Sequence, residues 1–330
     1  MNPTWLRAGG SIILFMSLEQ EIREKALELG FDAAGITDAS PIGREHVEHF
    51  KAWLQAGCAG PMQYMHRNQE KRFDPAQLLK GARSVVVVAL SYKPPVSATA
   101  VGWAPPTVPA GGAGSFGKVA LYAQHEDYHD FMKPLLRELA DFVQSRVDSQ
   151  CRFKICVDTA PLAEKALAVR AGLGFIGKNH LLIHPRLGPQ VLLGEMITTT
   201  ALEPDEPGRG DCADCDLCLK ACPTGALRRD GFLDARRCIS CLTQYGPSPG
   251  TGNWLFGCDE CLLACPYHER AHVSANRQFR WYIERARLGL QEVIELTPEA
   301  FDARFHDSPI RHTGLDRLKQ TARGCLNRVV

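Results

Sequence analysis

The chain has 330 residues, 45% of them hydrophobic, which is enough for well-developed cores and favours two domains over one. The net charge of +1 assigns no partner by itself, since bulk balance hides local clusters, while no apolar run approaches the roughly 20 residues of a membrane span. The run Ile12–Met16 is too short for the core of a secretory signal, so a cytoplasmic, reducing location without membrane attachment is expected.

Residues 1–16 carry no readable pattern and are expected to be a disordered or untranslated extension, with Met16 as an alternative start. Ser17 and Gln20 form a capping-box pair for an amphipathic helix over 17–29 that Gly30 ends. Ser84 to Leu90 (SVVVVAL) reads as a strand buried on both faces. Residues 94–117 are rich in Pro, Gly and Ala and predict a long loop. Helical spacing returns from Tyr128 to Val147, and Arg152 to Val157 alternates into a strand ending at Asp158. Thr159 and Pro161 open the next predicted helix, which Gly172 and Gly174 close. The apolar runs 181–184 and 190–199, joined by Pro185 to Gly188, predict a β-hairpin. Acidic, Pro-containing residues 203–210 read as a linker, which divides the chain into a domain over 17–203, a cysteine-rich domain over 204–270 and a basic helical segment over 271–330.

Nine of the 13 cysteines lie between Cys212 and Cys265. Cys212, Cys215, Cys218 and Cys222-Pro223 reproduce the C-x2-C-x2-C-x3-C-P run of bacterial ferredoxins, whose fourth cysteine ligates the other cluster. Cys258, Cys261 and Cys265-Pro266 form a second half that needs one more thiolate, for which Cys238 and Cys241 compete. Crossed ligation then gives one 4Fe–4S cluster to Cys212, Cys215, Cys218 and Cys265, and the other to Cys222, Cys258, Cys261 and one of the two competitors. Zinc is the competing reading, but a triple C-x2-C-x2-C with a trailing C-P packs too many thiolates into one turn for a single tetrahedral ion. The segment moves electrons, and the 211 residues before it must supply a substrate or cofactor site.

Several further motifs resemble the epoxyqueuosine reductases, cobalamin and iron–sulfur enzymes that complete queuosine in the tRNA anticodon and are related to reductive dehalogenases. The resemblance runs from Met16 to about residue 315. It is carried by Met65-His-Arg-Asn68, Glu70-Lys-Arg72 and Asp74-Pro75; Asp127-Tyr-His129; Val157-Asp-Thr159; Arg170 to Gly174 and Gly177-Lys-Asn179; Glu195 to Thr198; Cys222 to Leu227; Arg237 to Ser240; and Gly257-Cys-Asp259. The family usually has an aromatic residue where this chain has Cys241, which favours Cys238 as the eighth ligand. The fold implied is α+β, with an N-terminal mixed α/β cobalamin-binding domain resembling reductive dehalogenases, followed by a ferredoxin-like domain with two 4Fe–4S clusters.

The resemblance implies a two-electron reductive dehydration of the epoxide, with Asp158 matching the family's proton donor. On the residues alone Asp158 sits where a strand ends and a helix begins, a place where ligands gather, and an N-cap is the structural alternative. To hold a proton at rest its pKa would have to rise from near 3.9 to about 7 by burial. Cobalamin-binding positions carried over from the family are Arg72, Ala120, Asp158, Lys178, Leu182, Leu193, Ser240 and Asp259. On chemistry alone Arg72 is equally a surface arginine and the apolar positions are ordinary core. His129 reads as a ligand, an acid or a surface residue.

The implied partners are a tRNA bearing epoxyqueuosine and an external low-potential electron donor, with the protein acting as a monomer. Two basic stretches suit RNA: Arg270, Arg277, Arg280, Arg285 and Arg287 around Trp281 and Tyr282, and Arg311, His312, Arg317, Lys319, Arg323 and Arg328. A solvated helix face is the alternative for both. Two rival classes are a reductive dehalogenase acting on a small organohalide and a simple electron-transfer protein without a corrin.

Overall fold

A computed structural model describes residues 16–94, 116–147, 150–246, 251–274, 276 and 278–327. The expected extension over 1–15, most of the expected loop over 94–117, Arg277 and Arg328 lie outside the described residues; Phe116 and Gly117 belong to a strand. The strands are β1 (Ala33–Asp38), β2 (Ser84–Ser91), β3 (Phe116–Val119), β4 (Phe153–Cys156), β5 (Phe175–Ile176), β6 (Leu182–Ile183), β7 (Val191–Thr198), β8 (Trp254–Phe256) and β9 (Arg287–Gly289).

The first helix, Leu18–Glu28, starts at the expected capping box, with Ser17 and Gln20 each bonded to the other's backbone N–H. Ile22 and Ala26, one turn apart, supply its buried face. The principal sheet has the order β1-β2-β7-β4, with every neighbouring pair antiparallel. All eight residues of β2 are buried, as the unbroken apolar run implied. Its even positions, Val86, Val88 and Leu90, pack with Met132, Leu136 and Leu139 of the helix Tyr128–Arg146. Its odd positions, Val85, Val87 and Ala89, pack with Ala166 and Leu167 of the helix Glu164–Arg170 on the other face. Period-two alternation thus sandwiches the sheet between two helices. Gly35 lets β1 approach the second of them closely, since a Cβ there would lie 1.9 Å from the Ala171 carbonyl oxygen.

Two local expectations are corrected. The expected hairpin does not form: β7 already has β2 and β4 on its two edges, so β6 pairs with β5 instead. Only the turn survives, closed by a bridge between His184 and Gly188. The helix expected from Thr159 begins at Glu164, because residues 158–163 are held in a loop whose Ala163 N–H donates to the Arg72 carbonyl at 2.9 Å.

The second sheet has the order β8-β3-β9, with β3 parallel to β8 and antiparallel to β9. It draws one strand from each side of the cysteine segment and one from inside it, so it crosses the expected boundaries at 203 and 270. Its core joins Val119 and Ala123 to Phe256, Leu288, Phe301, Phe305 and Leu318. The C-terminal helices are therefore structural, closing this second core.

Candidate active site

The cysteines gather as two neighbouring groups. Cys218 feels Cys212, Cys265 and Cys215, and Cys265 in turn feels Cys212 and Cys215. Cys261 feels Cys258, Cys238 and Cys222 as well as Cys218 of the first group, so the two groups are adjacent. Backbone N–H groups point at several of these sulfurs: Leu227, Thr224 and Ala226 at Cys222, Cys241 and Ser240 at Cys238, and Lys178 at Cys212 over 3.4 Å. Such donors favour thiolate over thiol, as a metal ligand requires. Cys238 occupies the N-cap of the helix Ile239–Tyr245. Cys241 lies inside that helix, buried with Cys58, Trp53 and Leu54, and Cys238 is the one thiol that acts on it.

Asp158 follows β4 directly. Its φ of +56° lies in the left-handed region, a conformation that costs a non-glycine residue about 1–3 kcal/mol unless its surroundings enforce it. They do: Thr159 N–H turns back to the Val157 carbonyl at 2.6 Å, and the Asp158 N–H donates to Glu164 Oε1 at 2.8 Å. Asp158 therefore caps no helix, and its carboxyl is free to face His129, whose Nε2 lies 3.4 Å from Oδ2.

The expected rise in the Asp158 pKa is not what this geometry produces. The nearby Nε2 and charge of His129, helped by the Tyr128 hydroxyl, hold this partly exposed carboxyl below the ordinary aspartate range against the desolvation imposed by the surrounding protein. His129 carries the complementary change. Burial alone would lower it, but the hydrogen bond to Asp127 and the two facing carboxylates of Asp127 and Asp158 outweigh that and lift it to about 9. Its Nδ1 lies 2.8 Å from Asp127 Oδ1, and the other oxygen of this buried carboxylate accepts from His312 Nε2 at 2.7 Å. Arg311 adds its guanidinium at 3.2 Å from the same oxygen.

Two carboxyls that the sequence reading left without a role stand nearby. Glu164 is pushed up to about 7 by burial and by the Asp158 charge. Glu195 on β7 is fully buried with neither oxygen hydrogen-bonded, and burial followed by the charges of Glu164 and Asp158 pushes its pKa well above the ordinary glutamate range. An acid inside the apolar strand 191–198 was the available signal. Tyr64 and Tyr245 stand close by with ring centroids 6.0 Å apart, and both are exposed and act electrostatically with Asp158 and Cys241.

The remaining family-derived positions fall into three groups. Arg72 meets Glu164 and Tyr64, and its Nε is buried without a hydrogen-bond partner. Ala120 packs with Ile239, beside Ser240, and with Cys258, while Asp259 Oδ2 accepts the Leu121 N–H at 2.7 Å. This approach requires Gly257, where a Cβ would lie 2.5 Å from the Ala120 Cβ. Leu182 and Leu193 share the apolar layer that lies under the helix Glu164–Arg170. The buried, unpartnered Arg72 donor suits the amide fringe of a macrocycle such as cobalamin. Lys178 departs from this set: its ammonium donates to the carbonyls of Ala213 at 2.6 Å and Cys215 at 3.0 Å, so it braces the first cysteine loop.

Comparison with known proteins bears on both halves. Residues 72–159 match the family model described as epoxyqueuosine reductase QueG (DUF1730), and residues 211–268 match a 4Fe–4S double cluster binding domain. The chain is 35% identical over 325 residues to the epoxyqueuosine reductase of Gloeobacter violaceus, covering 93% of this chain and 95% of that one. The chain belongs to the epoxyqueuosine reductase family. It is also 34% identical to the Escherichia coli epoxyqueuosine reductase, over 90% of this chain and 77% of that one. An epoxyqueuosine reductase crystallised with an epoxyqueuosine-modified tRNA-Tyr stem loop superposes with a TM-score of 0.83 at 31% identity, covering 94% of this chain and 81% of its own. A Bacillus subtilis epoxyqueuosine reductase, solved with its catalytic aspartate loop swung out of the active site, superposes equally well at 30% identity over 94% of this chain and 82% of its own.

As a member of the epoxyqueuosine reductase family the chain is an oxidoreductase with an α+β fold and a double-cluster domain. Among the described residues no helix is long and apolar enough to cross a membrane. The basic residues divide by environment. Arg285 is buried, paired with Asp307, bonded to the His125 carbonyl at 3.0 Å and stacked on Tyr282. It is a structural residue. Arg285→Ala is expected to destabilise the fold by about 3–5 kcal/mol, the cost of breaking a buried pair, read as a lowered urea midpoint. An unchanged midpoint would refute that role. Trp281 and Tyr282 are likewise tied down, to Gln124 and Asp307. Arg270 and Arg323 are exposed, and Arg311 and Arg317 line a groove of about 910 Å³ with Tyr245 and Gln244.

Proposed function

We propose that the chain reduces epoxyqueuosine to queuosine in a tRNA anticodon, opening and deoxygenating the epoxide at Asp158. The observation that supports this most directly is Asp158 itself: a strained, solvent-facing carboxyl at a strand end, in a family whose Bacillus subtilis member has an aspartate-bearing catalytic loop. The tRNA stem loop bound to a relative of the same fold supports the substrate class.

Net chemistry adds two electrons and two protons to the epoxide, breaks both carbon–oxygen bonds, forms the alkene and releases water. Cys212, Cys215, Cys218 and Cys265 would hold one 4Fe–4S cluster, and Cys222, Cys238, Cys258 and Cys261 the other. Arg72, Ala120, Leu182, Leu193, Ser240 and Asp259 would line the cobalamin. When bound, these groups supply one-electron relay from an external low-potential donor and a strongly reducing, carbon-directed metal centre. Asp158 delivers protons to the departing oxygen. Arg72 offers its unpaired Nε to an amide or phosphate oxygen. Tyr64 and Tyr245 are exposed aromatic faces beside the acid, suited to stacking on a base drawn out of the anticodon loop.

The test is anaerobic reconstitution with iron, sulfide and cobalamin, followed by reduction in the presence of epoxyqueuosine-bearing tRNA. The released nucleoside should lose one oxygen atom by mass. A holoenzyme with both chromophores and no such product would overturn the reading. Binding to the tRNA should also weaken steeply with salt, the logarithm of the affinity falling by about 0.7–0.9 per tenfold rise in salt for each phosphate neutralised. Substituting Arg323 or Arg270 should reduce that slope; a salt-independent affinity would remove the basic surface from the interface.

A further inference from the structure

Removing an epoxide oxygen as water consumes two protons, one as the first carbon–oxygen bond breaks and one as the second breaks. The two electrons come from the donor through the clusters and the two protons must come through the site. Asp158 alone holds at most one, and the structure keeps its carboxyl ionised. A donor is needed behind it.

His129 stands in that place. Its ring stacks on Tyr128 at 4.1 Å, and its two nitrogens face carboxylates from different elements. Nδ1 lies 2.8 Å from Asp127 Oδ1 at the start of its own helix. Nε2 faces Asp158 Oδ2 at 3.4 Å; the atom is buried and has no closer partner. That distance is long for a hydrogen bond, as catalytic contacts often are before substrate closes them. The other groups facing the ring are His312, edge-on at 5.3 Å, and Glu164, with Arg311 reaching it through Asp127. Two anions in contact outweigh one guanidinium at second hand, so the ring holds a proton. Glu164 is the competing donor, but its Oε1 is occupied by the Asp158 backbone N–H rather than by the Asp158 carboxyl.

We infer that His129 is the proton store of the site: its imidazolium, held between Asp127 and Asp158, passes one of the two protons through the ionised Asp158 to the oxygen leaving the substrate, and the exposed Asp158 carboxyl takes up the other from solvent. Asp127 is the positioning residue that keeps the ring charged and its Nε2 turned to Asp158. The inference rests on the epoxide-reduction reading for its substrate, but the state of the ring does not.

Two measurements test it. In the oxidised holoenzyme labelled with 13C at histidine Cε1, the resonance lost in His129→Gln should titrate near pH 9, and Asp127→Asn should move it well down. A midpoint at or below the ordinary histidine value near 6.5 would overturn the store. In turnover, His129→Gln should lower kcat by about 10- to 100-fold at pH 8 with KM for tRNA within about twofold, and move the alkaline limb of the pH profile to lower pH. Asp127→Asn, which leaves the ring in place, should shift the limb in the same direction. An unmoved limb in both variants, with cluster and corrin absorbance intact, would overturn the proposal. Loss of all activity in the unaltered holoenzyme would strike the functional reading instead, and the titration would still decide the state of His129.

Discussion

Asp158→Asn is expected to lower turnover of epoxyqueuosine-bearing tRNA by about 10²- to 10⁴-fold while both clusters and the corrin stay bound. Asparagine tolerates the left-handed backbone that holds this loop at φ +56°, so the turn survives the change. What is lost is the carboxyl that passes protons. The amide cannot accept a proton from His129 and return it to oxygen, and removing one of its two anions should also lower the affinity of the ring for its own proton. Anaerobic single-turnover assays, with the cluster and corrin spectra taken on the same sample, give the result. A variant with full activity would remove Asp158 from the chemistry.

Replacing Cys238 should have a comparably large effect by a different route. Cys238→Ala is expected to reduce bound iron from about eight to about four atoms per chain and to abolish reduction, because the second group of thiolates loses a corner. Cys241→Ala should keep all the iron. The difference follows from placement: Cys238 opens a helix and meets Cys222, Cys258 and Cys261, whereas Cys241 is packed inside with Cys58 and Trp53. Iron and sulfide analysis together with the electron paramagnetic resonance of the reduced protein distinguish the two variants. The opposite pattern would make Cys241 the ligand.

Features governed by local rules were legible in the sequence. The Ser17–Gln20 cap, the buried run of β2 and the ferredoxin spacing each depend on neighbours a few residues apart, and each stands as read. Features governed by distant competition were not. The pairing of β6 depends on whether β7 has an open edge, and β2 and β4 had closed both. Lys178 reads as a free cation after a glycine-rich turn until the cysteine loop folds over it. Arg285 reads as one more member of a basic cluster until Asp307 and Tyr282 enclose it. The ionisation of Asp158 could not be read because the partner that sets it, His129, is 29 residues earlier on a different element. Sequence alone supplied burial as the only visible cause, and burial points the other way.

The threading of β3 between β8 and β9 governs the order in which this protein can be made. A ribosome that has released Cys265 has delivered every cluster thiolate, yet the last strand of the sheet, ending at Gly289, is still to emerge. Long-range pairing of this kind is slow, because a large loop must close before any contact rewards it. The nascent chain therefore presents every cluster thiol before the sheet that includes β8 can close. Metal loading that waits for β9 would insert iron into a finished frame, and loading that precedes it would leave two oxygen-sensitive clusters on a half-built one. A chain truncated after Arg270 should behave as the second case permanently, with the edge of β3 bare and clusters that bleach rapidly in air.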